Sequence, residues 1–386
     1  MRVRLIPQVR EVPAAAWDAL VGDSDPFVEH AFLDLLEQCG AVGPGTGWLP
    51  AHVTVWDGEG LVGALPLYEK RHSYGEFVFD WGWADAAARA GIPYYPKLVS
   101  MVPVTPATGR RLLVHPEVER SGGYEPVVRA LIDGAFEARA QTGAGAIQIL
   151  FMTETEARAV ASDGRLLPRL SYQFHWHNAP YASFDAFVEC FRSSMRKKLR
   201  RERRVVAESG VEVRVLSGGA LGPEHWRALG RFYRDTCATH GSPVYLPPAF
   251  FELAPGFVGR RAVAPLAYRG GHLVAGALAF ERGSHLYGRY WGCDGDYEML
   301  HFELCYYRLI ERAIARGMTR FEAGAQGTHK LRRGLMPSAI HNAVYIHDPA
   351  LRGAVTEFLD REAAGVRAQM AMLADHGPFR RAPRDG

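Results

Sequence analysis

The sequence predicts an α+β fold in which one structural unit is used twice. Three observations carry this. The first half runs strand, helices, hairpin, further strands, helix, strand, and the second half repeats that order. Between them lies an amphipathic and strongly basic segment.

The first half opens on the strand-like MRVRLI, followed by a helical stretch from Pro13 to Leu20 and a capped helix from Asp25-Pro26 to about Cys39. After the Gly- and Pro-rich loop Val42–Trp48, Ala51–Trp56 and Leu61–Tyr68 read as strands around an Asp57-Gly58-Glu59-Gly60 turn. A helix over about 125–142 and the apolar strand Ala146–Met152 complete it. In the second half Val211–Leu216 alternates as a strand and Pro223–His240 reads as a helix. Ala262–Tyr268 and Leu273–Glu281 flank the turn Arg269-Gly270-Gly271, and His285–Trp291 extends the meander. A helix follows over about 300–316, with apolar positions at helical spacing and a stop at Gly317. Thr319–Ala323 is a last strand, and an amphipathic helix over about 350–374 closes the chain. The expected division is 1–183, a connecting segment 184–209, 210–349, and a C-terminal helix and tail 350–386.

Composition narrows the class. With 386 residues, 48% hydrophobic and 23% charged, the chain can bury a sizeable core, which excludes disordered and collagen-like proteins. The longest apolar run, Leu273–Phe280, is far short of the roughly 20 residues of a membrane-spanning helix, and no signal peptide is read, so the cytoplasm is expected. Five scattered cysteines with no CxxC pair argue against a disulfide framework or zinc knuckle and read as buried small apolar residues. No metal site is expected: His175 and His177 would share a strand face, but no third ligand is near them in sequence. Of 45 basic residues only Lys70, Lys97, Lys197, Lys198 and Lys330 are lysines, and four of these fall in the segments below.

Three segments can carry chemistry. In the connector, Phe184, Phe187, Val188, Phe191, Met195 and Leu199 form an apolar stripe, and Ser193 or Ser194 could start a second helix. Eight positive charges between Arg192 and Arg204 face a single acid, Glu202. Such a face is either simply solvated or a polyanion site, with Arg196, Lys197, Lys198, Arg200 and Arg201 as phosphate contacts. The segment His72–Asp85 is the second. Read as a strand from Tyr74 to Trp81, it places Tyr74, Glu76, Val78 and Asp80 on one face and Phe77, Phe79 and Trp81 on the other. Glu76 and Asp80 are then candidate bases for an amine, with Tyr74, Asp85, Tyr95 and Lys97 lining the cleft. The third is Phe321–Lys330, after a strand. Glu322 and His329 offer acid–base groups, Gln326 and Lys330 polar contacts, and Tyr287, Arg289 and Tyr290 a neighbouring wall.

The chain resembles the tandem GNAT-fold (Gcn5-related acyltransferase) proteins, specifically a bacterial peptidoglycan biosynthesis/recognition family related to the FemABX peptidyltransferases. Stretches that carry the resemblance include Gly43-Pro44-Gly45-Thr46-Gly47-Trp48, His72–Asp80, Tyr94-Tyr95-Pro96-Lys97-Leu98, Ser194-Met195-Arg196-Lys197-Lys198 and Glu322–Lys330. The resemblance implies two GNAT-like domains, each a mixed, mostly antiparallel sheet flanked by helices, joined by the basic helix. It implies an N-acyltransferase that moves an acyl or aminoacyl group by direct attack of a small-molecule or peptide amine. No cofactor is held. The co-substrate is acyl-CoA or aminoacyl-tRNA, so tRNA is a possible partner, and DNA is not. One departure stands out: the acetyl-CoA motif Gln/Arg-x-x-Gly-x-Gly/Ala is nearest at Arg289-Tyr290-Trp291-Gly292-Cys293-Asp294, which fails at its last position. The alternative is a non-catalytic recognition protein binding an anionic ligand or cell-wall precursor.

Overall fold

A computed structural model describes residues 1–22, 25–325 and 327–380. The chain divides into two compact units, residues 1–172 with 339–368, and 173–338 with 369–386. Each is discontinuous in sequence, where the sequence reading drew contiguous spans. Strand Leu167–His177, strand Met336–Ile346 and helix Pro349–Asp375 each begin in one unit and end in the other.

In the first unit the expected hairpin forms from strands His52–Asp57 and Gly60–Leu65, with Arg2–Ile6 pairing antiparallel on one side and Leu113–Val114 on the other. A second run of strands has Ala146–Met152 at its centre, antiparallel to the Met336–Ile346 strand and parallel to Lys97–Ser100; Tyr68–Lys70 pairs antiparallel with Lys97–Ser100. All seven residues of Ala146–Met152 are buried, as a strand covered on both faces requires, and its one polar residue is Gln148. Helix Tyr124–Thr142 buries Val127, Val128, Leu131 and Ile132 against Val53, Val55, Leu65, Leu98, Ile147 and Ile149 to make the core.

The second unit is a meander of Glu212–Ser217, Ala262–Arg269, His272–Arg282 and His285–Cys293, all antiparallel. Strand Arg320–Glu322 then joins parallel to His285–Cys293 and antiparallel to the end of Leu167–His177. Helix Pro223–Thr239 packs directly on the meander at Gly292, where a Cβ would stand 2.2 Å from the Phe232 carbonyl oxygen. The long helix read over 300–316 is present, interrupted by a π-helical turn, Glu303–Tyr307, a feature frequent at functional sites.

Two sequence expectations need correction. Tyr74–Trp81 is not a strand: Gly75 and Phe77 both hold positive φ, 80° and 60°, and helix Trp81–Arg89 begins where the strand would end. The cysteines are not uniformly buried, since Cys190 is exposed and Cys293 and Cys305 are half-buried. The sequence reading also passed over helix Glu154–Asp163, which is fixed by its own capping box. Buried Glu156 accepts from the backbone N–H groups of Arg111 (2.6 Å), Leu112 (2.7 Å) and Thr153 (3.0 Å), tying that helix to the strand beside it. Replacing Glu156 by Ala orphans three donors and should lower stability by roughly 3 kcal/mol in urea unfolding. A loss below about 1 kcal/mol would show that these bonds are replaced by others.

Candidate functional sites

In the first unit, strands Tyr68–Lys70 and Lys97–Ser100 put Lys70 directly opposite Lys97, and both side chains are fully buried. Two like charges in that position repel, so carboxylates must come to them. Glu76 and Asp80 do so from the irregular loop. Lys97 Nζ donates to Glu76 Oε2 (2.7 Å), to Ser73 Oγ (2.7 Å) and, at very short range, to Asp80 Oδ2. Asp80 Oδ2 also accepts from Tyr94 Oη (2.5 Å) and Gln148 Nε2 (2.6 Å). Lys70 Nζ donates to the Tyr74 carbonyl (2.9 Å), stands 3.8 Å from Glu76 Oε1, and lies 3.4 Å from the centre of the Trp48 ring.

Burial dominates the titration here. It pulls Lys70 down to about 7 and pushes Glu76 up to about 7, each against the attraction of nearby opposite charge. Burial also opposes charge on Lys97, but Glu76 and Asp80 outweigh it and hold Lys97 above its ordinary value. Asp80 sits below its ordinary value because Lys97 outweighs its burial.

This arrangement breaks up the faces read from the sequence, since Tyr74 parts from Glu76, Val78 and Asp80. Glu76 and Asp80 point inward with Val78, while Tyr74, Phe79 and Trp81 are the exposed side chains. The cause is the pair of buried lysines, which recruits the carboxylates, and the positive φ values, which break the alternation. Tyr95 Oη reaches Ser73 Oγ at 2.8 Å, so Tyr95 and Lys97 do join this cluster; Asp85 lies apart, exposed on helix Trp81–Arg89. Lys70 was not among the candidate site residues, although its rarity as a lysine was a signal.

In the second unit the decisive feature is how briefly two strands pair. His285–Cys293 and Arg320–Glu322 share three residue pairs, the last being Tyr287 with Glu322. Just beyond, the ladder to the preceding strand skips a residue: Leu278 pairs with Tyr290 and Ala279 with Gly288, so Arg289 is the extra residue of a β-bulge. The splay opens a cavity of about 100 Å³ lined by Gly288, Arg289, Tyr290, Ala323, His301 and Tyr306, among others. Tyr306 comes from the π-helical turn, and its hydroxyl lies 2.9 Å from His329 Nε2. Burial first, then the charges of Lys330 and Arg333, lower the His329 pKa below its ordinary value, so the ring is neutral at neutral pH. Burial likewise brings Lys330 to about 8, with its ammonium donating to the Gly324 (2.7 Å) and Ala325 (3.2 Å) carbonyls.

Glu322 is buried on the strand, 3.1 Å from Arg320 Nη2 and 3.7 Å from His175 Nε2. Tyr287 is buried beside it in register, Arg289 Nη2 donates to Tyr290 Oη at 3.2 Å, and Gln326 lies outside the described residues. His301 and Tyr306, which the sequence reading left out, line the cavity. The phase slip introduced by a π turn is invisible to helical periodicity. Among the described residues no group of three or more His, Cys, Asp or Glu is placed to hold a metal.

The basic segment splits into helices Phe184–Glu189 and Ser193–Glu208. Glu202, the one acid between Arg192 and Arg204, faces inward and accepts from Arg333 Nη2 (2.8 Å) and Tyr307 Oη, while Arg203 pairs with Glu303 (3.1 Å). Of the expected phosphate contacts, Arg196 and Arg200 pair with Glu189. Lys197, Lys198 and Arg201 are exposed, together with Arg204, and none of these four forms an ion pair among the described residues. Lys197, Arg201 and Arg204 recur at i, i+4, i+7, an unbalanced outward face.

Three comparisons bear on what these sites belong to. The family described as FemAB-like, peptidoglycan biosynthesis/recognition, matches residues 8–381. No curated protein matches. Among solved structures, FemX aligns with a TM-score of 0.54 at 13% identity, covering 92% of this chain and 100% of that one. The C-terminal domain of a putative lysylphosphatidylglycerol synthetase from Agrobacterium fabrum aligns at 0.51 with 10% identity, covering 90% and 94%. A tandem GNAT protein from the clavulanic acid biosynthesis pathway aligns at 0.43 with 13% identity, covering 90% and 99%. The fold is α+β, as the sequence predicts, and is shared with FemX.

The buried cluster yields a stability test. Lys97→Met leaves Glu76 and Asp80 without their shared cation and should cost about 3–5 kcal/mol in urea unfolding. A change under about 1 kcal/mol would mean the carboxylates find another partner.

Proposed function

The chain belongs to the FemAB-like family, and from that premise we propose that it is a cytoplasmic aminoacyltransferase that moves an aminoacyl group from aminoacyl-tRNA to the amine of a peptidoglycan precursor. The observation that carries this reading is the splayed, bulged strand edge from Gly288 onward, with a cavity against it and a neutral imidazole behind Tyr306.

In this reading the acceptor amine attacks the ester carbonyl carbon, and the C–O bond to the tRNA ribose breaks from the tetrahedral intermediate. Backbone N–H groups of the bulged edge stabilise the developing oxyanion. The amine's proton passes to Tyr306, which gives its own to His329 Nε2. The His329 imidazolium then returns that proton through Tyr306 to the ribose oxygen, which leaves as a hydroxyl. Lys330 and the Arg320–Glu322–His175 group hold the strand end and the loop after it in place. Glu322, buried and paired, acts by positioning in this scheme.

The choice of donor rests on charge. A CoA pyrophosphate favours a helix N-terminus with free backbone donors and no acids. Here the turn before helix Leu300–Phe302 exposes Asp294, Asp296 and Glu298, which repel a pyrophosphate. The outward face of Lys197, Lys198, Arg201 and Arg204 suits a phosphodiester backbone instead.

Two outcomes follow. Since burial lowers the His329 pKa, the acid limb of the kcat/KM profile should lie below pH 6.5; His329→Ala should remove that limb and cut turnover about 100-fold while the fold persists. Unchanged turnover in that variant would remove His329 from the mechanism. Charged-tRNA binding should weaken with salt at a slope of roughly −0.7 to −0.9 per phosphate contact, and a Lys197→Glu/Lys198→Glu protein should lose about two contacts' worth of slope. A flat salt response with full binding in the double variant would leave the basic face merely solvated.

A further inference from the structure

A second cavity lies wholly within the first unit, away from the residues discussed so far. It encloses about 250 Å³ between helix Glu154–Asp163, strand Leu167–His177, strand Met336–Ile346 and helix Pro349–Asp375. Its floor is apolar, from buried Val160, Leu166, Leu359 and Ala343, and its rim carries exposed Ala161, Asp360 and Arg367. An apolar cavity of roughly 150 Å³ already admits a benzene-sized molecule. This one has room for more.

The polar groups at the cavity are specific. Arg169, 7% exposed, is held rigidly: Nε and Nη2 donate to the Glu362 carboxylate at 2.9 Å each, Nη2 also donates to the Phe79 carbonyl at 2.8 Å, and the guanidinium lies 4.4 Å from the Trp83 ring centre. Its Nη1 is buried and has no hydrogen-bond partner among the described residues. A buried guanidinium nitrogen with unused protons is costly unless something accepts from it. Arg367 at the rim forms no ion pair among the described residues, and His341 also lines the wall. Arg169, Arg367 and His341 therefore line the cavity with one acid, Asp360, while Glu362 stands behind Arg169.

We propose that this groove binds an amphipathic carboxylate, its chain of about eight carbons on the Val160–Leu359 floor and its carboxylate accepting from Arg169 and Arg367. Glu362 neutralises much of the Arg169 charge, so Arg367 supplies the long-range attraction and Arg169 the directional bond. The site is independent of the transferase reading, because no residue in it belongs to either cluster described above.

Calorimetric titration with octanoate tests the proposal, with octylamine and butyrate as comparison probes. Octanoate should bind saturably to the full-length protein, octylamine should not, and butyrate should bind at least tenfold more weakly for want of buried methylenes. Ala363→Phe, on the wall, should abolish octanoate binding. Arg367→Glu, at an exposed position, should weaken it about tenfold without altering the unfolding transition. Absence of saturable octanoate binding, binding unchanged in both variants, or a preference for octylamine would each overturn the proposal.

Discussion

Strands His285–Cys293 and Arg320–Glu322 pair for three residues and then part, and the second unit is organised around that separation. A strand pair that stops inside a sheet leaves a gap that other elements must fill. Here the bulge at Arg289 turns the strand away, the π turn delivers Tyr306 to the opening, and the loop after Glu322 brings His329 behind it. Each device carries a local cost: a skipped ladder pair, a wide helical turn, and a φ of 100° at Gly327. Such features cluster where a fold keeps a binding edge open.

The first unit solves a different problem. Two lysines face each other across a buried strand pair, and an irregular loop, with Phe77 at a φ that bulky residues avoid, turns two carboxylates in to meet them. The same loop therefore exposes Tyr74, Phe79 and Trp81. The basic helix shows similar economy: Glu202 and Arg203 anchor it inward, and the cations left over face out.

Most elements were legible in the sequence because they rest on short-range physics. The hairpin turn at 57–60, the apolar strand 146–152, the meander and the helix stop at Gly317 are all set by periodicity and turn chemistry. What escaped depends on partners far along the chain. The Tyr74–Trp81 alternation looks like a strand, and the buried Lys70 and Lys97 on neighbouring strands make its carboxylates face inward. Strand Met336–Ile346 pairs with Ala146–Met152 across nearly two hundred residues, and no local pattern announces such a partner. Glu322 and His329 were visible as candidate groups. That one lies buried against Arg320 and the other touches Tyr306 is a matter of tertiary placement.

The most direct test of the central claim, that the splayed edge serves aminoacyl transfer, is product formation from a labelled donor. Purified protein would be offered tRNA charged with an isotopically labelled amino acid, or acyl-CoA, together with amine-bearing peptidoglycan precursors, and the products read by mass spectrometry. The account predicts a labelled amide and uncharged tRNA from the first donor and no amide from the second. Amide formed from acyl-CoA, with none from charged tRNA, would contradict it.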